Sequence, residues 1–81
     1  MTAGAARDAH TQADRLLAFA LAQPHAAFAR AKAWTLADTA GSDAFRMSVA
    51  HQTMGIVRRD EGDHPSALRH FAAARRWARQ S

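Results

Sequence analysis

Apolar residues recur along the chain at three- and four-residue spacing, the period of a helix that buries one face. Ala13, Leu16, Leu17, Ala20 and Leu21 keep this spacing first; next, Phe28 and Ala31 lie on one flank of a second segment, with Trp34 about 120° round. A third segment carries two stripes. Met47, Ala50, Met54 and Val57 form one, and Phe45, Val49 and Ile56 form another on the roughly opposite side. Ala67, Leu68, Phe71, Ala74 and Ala78 line a fourth face. A helix that is apolar on two sides has neighbours on both sides. The pattern therefore predicts a row of helices, with the inner ones covered twice.

Turn residues separate these segments. Pro24 suits the first turn of a helix, where a missing N–H costs nothing. Gly41 and Gly62 can close helices in the left-handed conformation, and Ser42 and Asp63 are candidate N-caps. The predicted helices are Ala6–Ala22, Pro24–Ala40, Asp43–Glu61 and His64–Gln80, with the first five residues frayed. A cap at Thr11 with Asp14 would shorten the first helix. Short connections make consecutive helices antiparallel. The expected fold is all-α, a single domain over residues 1–81 made of two helix hairpins, about 6–40 and 43–80.

Composition narrows the possible roles. Of 81 residues, 22 are Ala, and only 17 are larger apolar side chains. So thin a core is not expected to hold a buried catalytic cavity. The chain has no Cys, which excludes disulfides, thiolate metal sites and a cysteine nucleophile. No apolar run approaches the roughly 20 residues of a membrane span, and no apolar signal core opens the chain. A cytoplasmic protein that contacts no membrane is expected.

Charge is uneven. The net charge is +4, and from His64 onward there are four Arg and no acid. A basic end can attract nucleic acid or acidic proteins. Arg69, Arg75, Arg76 and Arg79 lie beside the apolar face of the fourth helix, but Trp77 is the only aromatic among them and lies on the other side. That is a poor base-stacking surface, so any nucleic-acid binding is expected to be weak.

Phe28-Ala29-Arg30-Ala31-Lys32-Ala33-Trp34 reappears as Phe71-Ala72-Ala73-Ala74-Arg75-Arg76-Trp77, an internal repeat carried by its two aromatics. Around the second copy, Gly55, Gly62, Asp63, Ala67, Leu68, Phe71 and Ala74 stand in the spacing of a helical hairpin motif. Residues 55–74 resemble a tetratricopeptide (TPR) repeat, of the long-repeat type common in bacterial signalling and transcriptional regulators. His51, Met54, Arg58 and Arg79 depart from that pattern, and the first hairpin fits it less well. The resemblance implies a short right-handed TPR-like array that works by protein–protein interaction. It implies close packing of the hairpin through Gly55, Ala67, Leu68, Phe71 and Ala74. It also implies a concave peptide-binding face at Val49, Gln52, Ile56 and Arg59. Phe45, Val49 and Ile56 can instead pack on the first helix. The Lys and Asn of the carboxylate-gripping subtype are missing at such positions.

Other chemistry finds little footing. His64 and His70 are six apart, not a helical ligand pair, and His10 and His25 lie elsewhere, so neither a metal nor a cofactor is expected. Asp60, Glu61, Asp63 and His64 cluster in a turn, and acid–base catalysis needs a cleft; no enzyme activity is expected. Trp77 occupies the flank that a following helix covers in the first repeat. It marks, with Arg69 and Arg76, a candidate assembly edge toward a second copy or a larger regulatory assembly. The leading expectation is a protein or peptide partner, or a second copy of the chain. The alternative is a weakly basic, nucleic-acid-associated regulator fragment.

Overall fold

Each helix begins and ends where local chemistry permits. The computed structural model describes residues 3–37 and 43–80, with side chains from Thr11 onward. Among these residues there are four helices and no strand: α1 (Ala3–Ala22), α2 (Pro24–Ala37), α3 (Ala44–Asp60) and α4 (His64–Ala78). The fold is all-α. Helix α1 starts three residues earlier than its pattern predicts and passes through Thr11 without a break. The expected end of α2 at Ala40, the Gly41 turn and the Ser42 cap lie outside the described residues. Asp43 caps α3 instead, its carboxylate accepting from the Arg46 N–H at 3.0 Å.

A single residue, Gln23, separates α1 from α2. Its N–H donates to the Phe19 carbonyl at 2.7 Å, and its own carbonyl accepts from the Ala27 N–H at 2.9 Å. Pro24 then opens α2 without an amide proton to satisfy.

Three residues separate α3 from α4. Gly62 has φ +85°, a conformation that side chains resist. Its N–H donates to Arg59 at 3.0 Å, and the Asp63 N–H donates to Arg58 at 2.8 Å. This is the Schellman pattern. The Asp63 carboxylate then accepts from the Ser66 N–H at 3.2 Å, so one short turn both stops α3 and starts α4.

The core is built largely from alanine. Among the described residues, eight of the thirteen buried apolar ones are Ala13, Ala20, Ala27, Ala31, Ala50, Ala67, Ala73 and Ala74. Such small side chains let helix backbones approach closely, which suits a chain with few large apolar groups. Two clusters carry the interior. Ala13, Leu16, Ala31, Val49, Ala50 and Met54 form one, with Phe28, Trp34 and Phe45 at its edge. Ala20, Ala27 and Val57 form the other, near Gln23, with Phe19 and Phe28 beside it. Helix α3 thus beds against both α1 and α2, while α4 packs on α3. Thr53 is fully buried among them, its hydroxyl donating to the Val49 carbonyl at 2.9 Å. The whole measures 40 × 25 × 18 Å, and its least dimension is about that of two helix layers.

Three arginines serve as lids over aromatic rings. Arg30 of α2 lies 4.6 Å from the Phe19 ring of α1, and Arg46 of α3 lies 4.0 Å from Trp34 of α2. Arg46 also donates to the Gln12 side-chain oxygen at 2.9 Å, tying α1, α2 and α3 together. Arg58 covers Phe28 at 4.1 Å and pairs with Glu61 at 2.9 Å. Part of the basic charge counted in the sequence therefore has a packing role.

Candidate protein-docking surface

Between α3 and α4 runs an open groove of about 320 Å³, lined by Ser48, Gln52, Phe71, Ala74, Arg75 and Ala78. Its floor is Ala74 and Ala78. Phe71 lies across Gly55: a Cβ at residue 55 would stand 2.6 Å from Cε1 and 2.7 Å from Cδ1 of the ring. The missing side chain lets the ring close on α3 and form one wall of the groove. Ser48 and Gln52 form the other wall, one helical turn apart.

Arg75 supplies the charge. It is exposed, as are Arg69, Arg76 and Arg79. None of these four takes part in an ion pair among the described residues. Along α4 the groove wall passes from Arg75 to Arg79 one turn on, with Arg69 and Arg76 farther round the same helix. The exposed cations of α3 and α4 thus concentrate along α4.

The face proposed from the repeat pattern splits in two. Gln52 and Arg59 are exposed and Ile56 is half-buried; at spacings of four and three they share one side of α3. Arg59 reaches Asp60 at 3.3 Å in a solvent-exposed pair, which contributes little. Val49 does not belong to this face. It is 6% exposed and packs in the cluster with Ala13 and Leu16 of α1. Helix α1 needs a covering residue there, and a β-branched side chain fits between helices.

The hairpin set needs one correction. Ala67 and Ala74 are buried and Phe71 half-buried, but Leu68 is 68% exposed. Leu68 is one residue past Ala67, so the helix turns it about 100° away from the contact. Leu21 is likewise turned out, at 75% exposure, and Ala78 lies at the exposed end of the groove. At the expected assembly edge Trp77 is half-buried, and Arg69 and Arg76 are exposed.

The sequence pattern missed a histidine pair. His51 of α3 and His70 of α4 face each other with their Nδ1 atoms 3.2 Å apart, so one ring donates to the other. The His70 ring also meets the edge of Phe28, at 6.1 Å between centroids. Burial holds both imidazoles below their ordinary pKa. His51 is pushed the same way by His70 and Arg76, and His70 by Arg58 and Arg69. The two lie nineteen residues apart, so only the register of α3 against α4 could reveal the pair. Among the described residues no third His, Asp or Glu joins them to form a metal cluster.

No family model, curated protein or solved structure matches this chain. Among the described residues, no helix is long and apolar enough to cross a membrane.

Proposed function

We propose that the four helices form two antiparallel hairpins stacked as a TPR-like array, and that the protein is an interaction module for another protein. Pairings along the chain support the arrangement. Ala20 and Ala27 share one cluster close to Gln23, while Leu16 and Ala31 share the next one farther away. Across the Gly62 turn, Gly55 faces Phe71, and Ser48 shares a groove with Ala78.

The observation that carries the functional reading is the continuous, unfilled surface of the second hairpin. Gln52 belongs both to the exposed row with Ile56 and Arg59 and to the groove with Phe71 and Arg75. An apolar floor with a few placed polar groups is the usual make-up of a recognition site. Self-association through α4 fits less well, because a two-fold axis there brings the arginines of two copies together.

A photo-reactive residue at Gln52 tests the reading. Crosslinks in native extract should capture a defined protein whose purified form then binds the purified chain. The same probe at Leu36, exposed on α2, should not capture it. Adducts to nucleic acid alone, or equal capture from both positions, contradict the proposal.

A further inference from the structure

The first hairpin shows what the groove of the second is shaped to hold. Helices α1 and α2 share a neighbour. Helix α3 lies against both, seating Val49, Ala50 and Met54 on Ala13, Leu16 and Ala31, and Val57 on Ala20 and Ala27. The next pair, α3 and α4, presents a groove with a similar small-residue floor, Ala74 and Ala78, and one aromatic wall, Phe71.

The charge at the rim differs from the first seat. Arg75 lines the groove, and Arg69, Arg76 and Arg79 stand exposed on the same helix. Four guanidinium groups along one helix, none in an ion pair among the described residues, set a positive potential that favours carboxylates and disfavours another basic surface. A second copy would bring a chain that itself carries net +4.

We infer that the α3–α4 groove seats a helix of a partner protein, one with a stripe of small and medium apolar residues flanked by Asp and Glu. This rests on the interaction reading above and specifies its partner. The apolar stripe lies on Phe71, Ala74 and Ala78, as α3 lies on α1 and α2. The acidic flank meets Arg75 first and Arg79 one turn on, while Gln52 and Ser48 take polar groups on the opposite side.

The test uses the full chain and two synthetic helical peptides of about 15–18 residues, enough for several turns. Both carry Ala, Val and Leu on one stripe. One has Glu along the flanks and the other Gln at the same positions. Binding is read by fluorescence anisotropy, with circular dichroism confirming that each protein variant is folded. The acidic peptide should bind, and the Gln peptide should bind at least about tenfold more weakly. Arg75→Glu and Gln52→Glu, both at exposed positions, should each weaken the acidic peptide by about tenfold, and Ala78→Trp should block the groove. Leu36→Ser should change nothing.

Equal binding of both peptides overturns the acidic partner and leaves the interaction reading intact. Binding of neither peptide by folded protein overturns the groove as a helix seat, and the crosslinks from Gln52 judge the broader reading separately. Competition by duplex DNA as strong as by the acidic peptide overturns the inference in favour of phosphate recognition. A concentration-dependent dimer that the peptide does not dissociate overturns it in favour of a second copy.

Discussion

The Phe71 ring occupies the space where residue 55 would carry its Cβ, so Gly55 and Phe71 form one packing unit across α3 and α4. Glycine inside a helix costs roughly 1 kcal/mol relative to alanine, and here that cost is offset by a close aromatic contact. Gly55→Ala should destabilise the protein, because overpacking of about 1–3 kcal/mol outweighs the gain in helix propensity. In a Phe71→Leu background the sign should reverse, and Gly55→Ala should stabilise by up to about 1 kcal/mol. Urea unfolding of the four proteins in this cycle measures it; equal effects in both backgrounds would refute the contact.

The histidine pair makes stability depend on pH. Both imidazoles have folded pKa values below their ordinary value of 6.5, so below that pH the unfolded chain binds more protons than the folded one. Stability is therefore full above about pH 6.5, falls as pH drops through it, and levels off once the folded pair is also protonated. The second proton does the larger harm, since it occupies the acceptor Nδ1 and sets two cations face to face. Urea midpoints at several values between pH 7.5 and 5, roughly spanning the histidine range, should fall with acidity. His51→Phe should flatten that slope. A slope unchanged in the variant would assign the effect to other histidines.

Arg46 links three helices through Trp34 and Gln12. Arg46→Ala should cost about 1–2 kcal/mol, combining a cation–π contact with a hydrogen bond to a charged donor. Arg46→Met retains most of the apolar stem and should recover only part of this. Thermal melts of both variants provide the measurement, and a neutral Arg46→Ala would show that the lid contributes nothing.

Exposure separates the leucines. Leu16 is 1% exposed and lies in the main cluster, so Leu16→Ala should cost about 2–5 kcal/mol. Leu68→Ser should lie within about 0.5 kcal/mol of the parent, as surface substitutions usually do. A large loss for Leu68→Ser would restore it to the hairpin contact.

What the sequence made legible was local. The Gly62-Asp63 turn follows from φ freedom and capping within three residues, and the approach of α3 to α4 follows from a small residue at Gly55 and an aromatic at Phe71. Positions that depend on the arc a neighbour covers were not legible. Leu68 and Leu21 keep helical spacing with buried residues yet sit just beyond the covered arc. Val49 reads either as a residue of the concave face or as a contact for α1, and only the seating of α3 against α1 decides between them. The His51–His70 pair needs the register of two helices to within a turn. The arginine lids over Phe19, Trp34 and Phe28 were hidden for another reason: in a sequence, an arginine that packs on a ring looks the same as one that faces water. Once they are set aside, α4 stands out as the exposed basic element beside the groove.

The most direct test of the docking account is amide chemical-shift mapping of the isotopically labelled full chain as the acidic helical peptide is added. Saturable shifts are expected, concentrated at Ser48, Gln52, Phe71, Ala74, Arg75 and Ala78, with the amides around Leu36 on α2 unmoved. Shifts centred on α1 or α2, or none at peptide concentrations that saturate the anisotropy signal, would contradict it.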